Sequence, residues 1–119
     1  MHNAFDCGAE QIVGPLASVW FRSMTFEKAG DVVAGHSHNF DHVTFLWRGK
    51  LGVKLWPIAQ PTVVEVLEIT APHRLLIKKD YAHELTALTS NTRADCIYAL
   101  RDFDSQVTTS WNGDMTPYV

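Results

Sequence analysis

Three of the six histidines in this chain fall inside seven consecutive positions, as His36, His38 and His42. His36 and His38 are two residues apart, so in extended backbone their imidazoles project to one side. His42 follows the short Asn39-Phe40-Asp41 bend, from which its ring can return toward the same point. Imidazoles gathered without a cation make a poor structure, because each buried ring needs hydrogen-bond partners and rings that take up protons repel one another. A divalent metal removes both difficulties by drawing on the neutral nitrogen lone pairs. Imidazole suits iron, manganese, nickel, copper and zinc. Asp41 is the alternative donor if the following strand begins one residue earlier, since a one-residue slip reverses every side chain. The simpler account, a His-x-His pair on a solvated loop, is weakened by the third histidine and by the flanking Gly30 and Gly49.

Rings held this way need rigid elements on either side. The surrounding sequence is a series of short apolar segments broken by Gly, Pro, Asn and Asp, with no sustained helical period, and it predicts an all-β chain. Candidate strands cover 18–26, 42–47, 52–56, 62–69, 75–78, 83–88 and 94–103, rich in Val, Ile, Thr and aromatic residues. Turn residues cluster at 28–30, 48–52, 57–61, 79–82 and 89–93. Strands this short and numerous suit a sandwich or barrel. Residues 1–15 read as irregular, and 104–119, with Asn112-Gly113 as a turn, read as an arm. From His42 onward, His42, Thr44, Leu46 and Arg48 share one face and Val43, Phe45 and Trp47 the other. If the histidine face lines the interior, the second face is an apolar patch too costly to leave wet. A second copy of the chain, or the N-terminal arm, is expected to cover it.

The segment from Gly30 to Gly49 resembles the first motif of the cupin superfamily, in which two glycines frame a His-x-His pair and a following carboxylate. Gly30, His36, His38 and Gly49 fall at the family's spacing, and His42 stands where the carboxylate is usual. The second motif supplies one more histidine on a later strand. His83, in LLIKKDYAHELTAL, is the match, although Lys78, Asp80 and Ala87 stand where the family's Pro, Gly and Asn are usual. The resemblance implies a single cupin domain over residues 1–119, with motif 1 at about 30–49 and motif 2 at about 72–88. It implies a cupin-type β-barrel, a jelly roll or double-stranded β-helix, holding a divalent transition metal on His36, His38, His42 and His83. His73 competes for the fourth ligand position, but it follows Pro72 in what reads as a turn and is taken as a solvated surface residue. Glu84 points away from His83 by parity.

A ligand set of four imidazoles is neutral, so the ion keeps its full charge and acts as a strong Lewis acid with about two cis positions open. That suits an oxygen-rich organic anion such as an enolate, a catecholate or an α-hydroxy carbonyl compound. The resemblance implies a dioxygenase, or a related isomerase or lyase, with iron or manganese favoured and nickel, zinc or copper possible. Tyr98 is the candidate proton donor, and it shares parity with Cys96 on the late strand. Arg48 shares the His42 face and could hold a carboxylate, or be solvated at the strand end. Phe40, Leu46, Leu85 and Trp56 would supply apolar walls. No serine or cysteine has the partner spacing of a catalytic nucleophile.

Composition bounds the alternatives. The chain has 119 residues, 46% of them hydrophobic and 19% charged, which excludes a disordered or fibrous chain. Its formal charge of −3 comes from ten basic and thirteen acidic residues spread along the sequence, so no basic stripe is available for nucleic acid. Two distant cysteines, Cys7 and Cys96, form no disulfide framework, and with no leader-like or membrane-spanning run the expectation is a cytoplasmic protein with no membrane partner. The alternative to an enzyme is a small-molecule-binding or sensing module, which would need no general acid or base beside the histidines.

Overall fold

The computed structural model describes residues 8–101, 106 and 107, and at 35 and 36 the backbone alone. Nine strands follow in order: β1 (Glu10–Leu16), β2 (Val19–Phe26), β3 (Val32–Ser37), β4 (His42–Arg48), β5 (Lys50–Pro57), β6 (Glu65–Thr70), β7 (His73–Ile77), β8 (Tyr81–Ala87) and β9 (Thr92–Ala99). They form two antiparallel sheets, one ordered β1-β2-β9-β4-β7 and the other β3-β8-β5-β6. Consecutive strands repeatedly cross between the sheets, which is the jelly-roll connection. No helix occurs among the described residues, and so none is long and apolar enough to cross a membrane.

The seven strands predicted from sequence all exist, with ends displaced by a few residues. Two more were not read as strands. β1 contains Gly14 and Pro15, residues that argue against a strand; it survives because it lies at the edge of its sheet, where a missing N–H breaks no ladder on the open side. β3 carries the small pair Ala34-Gly35 and a register shift between Val33 and His36. Three residues of β3 are spanned there against two of β8, which is a β-bulge. The late strand ends at Ala99 rather than Phe103, and Arg101 then pairs with Val107. The remainder of the expected C-terminal arm, like His2 and Cys7, lies outside the described residues.

Alternation along the strands builds the interior. On β4, His42, Thr44 and Leu46 are buried, while Val43 and Phe45 are half-buried and Trp47 is 58% exposed, so the histidine face lines the interior as parity required. Leu51, Val53 and Leu55 from β5, Leu85 and Ala87 from β8, and Met24 and Phe26 from β2 close the core below it. Fully burying such a side chain is worth roughly 1.5–3 kcal/mol. A second cluster of Trp20, Phe40, Tyr98 and Leu100 sits at the histidine end. Gly49 alone links β4 to β5, at φ 86°, and a Cβ there would fall against Thr92 Oγ1. Only glycine combines that left-handed backbone with that closeness.

Candidate metal centre

Register decides which donors can meet. His42 opens β4, Cys96 is in the middle of β9 two positions before Tyr98, and His83 is the third residue of β8 in the facing sheet. All three are buried, His83 completely. One ligand atom from each lies within 4.8 Å of the other two. The His42 and His83 rings are 5.0 Å apart between centroids, and His38 meets His42 edge-on at 5.1 Å. The site therefore spans both sheets at one end of the barrel.

The sequence-derived residues fall as follows. His38, His42 and His83 come together. The backbone of His36 sits in β3 opposite His83 in the pairing; its side chain lies outside the described residues. Asp41 is not a donor to the interior: it is exposed, and its Oδ1 accepts the Lys79 backbone N–H at 2.8 Å. His73 is exposed as expected, although it opens β7 rather than lying in a turn. The Asp80 N–H donates to the His38 carbonyl at 2.8 Å. These two bonds pin the 38–41 bend to the turn before β8, so the loops carrying His38 and His83 are set by one another.

Tyr98 is buried beside the histidines, its ring 5.2 Å from His38, 6.1 Å from His42 and 4.8 Å from Phe40. Cys96 lies below it, with Sγ 3.4 Å from Thr44 Oγ1. Burial pushes its thiol up to about 11, against the lowering effect of the Thr44 contact. The thiol is therefore neutral near pH 7 unless a cation beside it favours the thiolate. Phe40 carries a second feature: the Arg101 guanidinium lies over its ring, Cζ 3.9 Å from the centroid, which sets a positive charge at the histidine end.

Two expectations are corrected. Arg48 does not share the His42 face, because β4 and β9 shift register between Leu46 and Arg48, and the extra residue turns Arg48 out to solvent beside Trp47. Trp56 is no wall of the site: it is half-buried and next to Leu55, whose partner is His83, so alternation carries it to the opposite side of the sheet. Leu46 and Leu85 are buried in the core beneath the donors, and Phe40 stands beside them.

No family model matches the sequence, and no curated protein resembles it. Solved structures do resemble it in shape. KdgF from Halomonas sp. matches with a TM-score of 0.62 at 16% identity, over 83% of this chain and 84% of its own. An RmlC-like cupin from Shewanella frigidimarina matches at 0.58 with 19% identity over 82% of each chain. This chain has the cupin fold. Oxalate oxidase in complex with the substrate analogue glycolate also matches, with a TM-score of 0.63 at 12% identity over 79% of this chain and 51% of that one, so the chain spans about half its length.

Within the cupin fold the departures noted in the sequence acquire physical reasons. Gly30 and Gly49, which frame the first motif, have φ of 96° and 86°, conformations that glycine enters at little cost. Asp80, standing where the family's glycine is usual, has φ 61°, and aspartate is among the residues that tolerate this region. Sequence reasoning put Cys96 on the same face as Tyr98 without making it a donor, and it passed over Arg101. For Cys96 the missing information was the β4–β9 register that sets Thr44 opposite Cys96. For Arg101 no sequence signal existed, since its position follows from where β9 ends.

Proposed function

We propose that this cupin-fold protein is a metal-dependent enzyme, an oxygenase or a related isomerase or lyase, acting on a small oxygen-rich organic anion. The observation that carries the reading is the buried group of His42, His83 and Cys96, with donor atoms within 4.8 Å of one another and His38 beside them. These donors fit a divalent first-row transition ion, iron or manganese first and nickel, zinc or copper after them. His42 and His83 would hold it, with His38 and His36 as further ligands by their motif positions and the Cys96 thiol as the remaining donor within reach. Bound there, the ion would polarise substrate oxygens as a Lewis acid. Phe40 and Trp20 exclude water from the mouth, and Arg101 above Phe40 attracts an anion toward it. Tyr98, within ring contact of His38 and His42, is the residue to hold or pass a proton to the bound substrate.

A second reading, a binding or sensing module without turnover, is favoured by one feature: among the described residues the metal-competent group contains no carboxylate to serve as a general base. Elemental analysis of tag-free protein, followed by oxygen uptake and product analysis with diketones, catechols and α-hydroxy acids, separates the two. Near-stoichiometric metal with turnover supports the enzyme. The same metal content with tight binding and no turnover supports the module, and protein that takes up no metal overturns the enzyme reading and leaves a metal-free binding module. Because ligation needs neutral rings, bound metal should be lost as pH falls through the free-histidine value of ~6.5.

We also propose that the outer face of the five-stranded sheet pairs with a second copy of the chain. Leu76, Val43, Ile97 and Phe21 are register partners in one row across four strands of that face. The row continues to Gly14 of β1, flanked by Ile12 and Leu16 at 79% and 71% exposure. A mainly apolar sheet face repeated on two copies is self-complementary, as a twofold interface requires.

A further inference from the structure

At the end of the barrel away from the histidines, β4 and β9 make an arrangement the metal centre does not use. β4 advances two residues from Leu46 to Arg48 while β9 steps back one, from Ala94 to Arg93. The bulge exposes Trp47 and Arg48 together and sets Arg48 directly opposite Arg93, both exposed. Like charges facing one another across a ladder oppose the pairing. Among the described residues neither guanidinium has a carboxylate within ion-pair distance; the ion pair found there joins Lys50 to Glu68. Asp95, the nearest acid on the strand, is buried and already accepts the Trp47 indole N–H at 2.7 Å. That bond and the Phe45 ring, perpendicular at 4.9 Å, fix the indole as a platform with much of its surface in solvent. The space between is a cavity of about 410 Å³ lined by Trp47, Arg48, Arg93, Ser23 and Thr25 and, at its strand side, by Asp95, whose carboxylate is engaged by the Trp47 indole; the volume is within the ~300–1,000 Å³ range of small-molecule sites.

We propose that this cleft is a second binding site, separate from the metal centre, for a small flat-ring carboxylate. The carboxylate would bridge the Arg48 and Arg93 guanidiniums, whose forked donors match its two oxygens. The ring would lie against Trp47, and the Ser23 and Thr25 hydroxyls would be available to further oxygens. The site is roughly 20 Å from His42, taking six residues of β4 at ~3.3 Å each, so occupancy at one end does not require the other. An anion here also relieves the like-charge contact that the bulge creates.

Benzoate is the probe, titrated calorimetrically into the metal-loaded protein and into protein stripped by a chelator, at low ionic strength. Saturable 1:1 binding is expected in both forms. Arg48→Gln and Arg93→Gln should each weaken it about tenfold or more, as loss of one charge-assisted hydrogen bond implies. Trp47→Leu should weaken benzoate while leaving the much weaker binding of acetate unchanged. Thermal unfolding of each variant within a few degrees of the parent shows that the fold is kept, and both arginines are at the surface, where glutamine is accommodated. Benzoate binding that disappears with the metal or in His83→Ala while both arginine variants bind normally overturns the proposal, as does the absence of saturation at millimolar benzoate.

Discussion

Histidines 42 and 83 differ from an ordinary buried pair because they come from facing sheets and share their pocket with a thiol. His83→Ala should abolish metal uptake while costing about 2 kcal/mol or more of stability in the loaded protein, since a ligand that binds only the folded state stabilises it by mass action. Metal content and melting temperature measured with and without chelator check this, and unchanged metal content would remove His83 from the ligand set. Cys96 predicts a pH effect in the stripped protein. Its thiol titrates near 11 when folded, against an ordinary value of 9.0. Below pH 9 both states keep the proton and the thiol adds no pH dependence. Between about 9 and 11 the unfolded chain releases its proton first, so stability should fall as pH rises through this window. Denaturant unfolding across that range, compared with Cys96→Ala, should show the decline in the parent and its absence in the variant.

At the level of strands and turns, the site depends on two short connections. Gly49→Ala is expected to destabilise the protein by about 1–3 kcal/mol, because the added Cβ meets Thr92 Oγ1 in a left-handed backbone. Asp80→Gly should be neutral or slightly stabilising, since glycine adopts φ 61° without the penalty an L side chain carries. Asp41→Ala removes the acceptor of the Lys79 N–H. It should cost about 1 kcal/mol and weaken metal affinity more than stability alone explains, because it frees the bend that holds His38. Thermal melts combined with competitive metal titration separate those two effects.

For the whole molecule, the two sheets have different outer faces. The five-stranded sheet carries a mainly apolar exterior, centred on Val43, Phe21 and Ile97, and a twofold interface there would leave both the histidine mouth and the di-arginine cleft at its margins. Ile97→Lys should shift the protein to monomer in light scattering without loss of bound metal. A parent protein that is monomeric at every concentration tested would exclude the interface.

Much of this was legible in the amino-acid order because it depends on local periodicity. Alternation placed His42, Thr44 and Leu46 inside and Val43, Phe45 and Trp47 outside, since each residue of a strand reverses the side chain regardless of what the strand pairs with. The turn positions and the motif resemblance also singled out Gly30 and Gly49, both of which the structure shows in left-handed backbone. Alternation failed at the bulge between Leu46 and Arg48, which took Arg48 off the His42 face and left it solvated at the strand end. Tertiary structure alone decided that an edge position rescues β1 despite Pro15, that Cys96 falls beside His42 and His83, and that Arg101 ends over Phe40. Each follows from which strands become neighbours, and neighbours far apart in the chain are chosen by the packing of the whole sheet rather than by any segment within it.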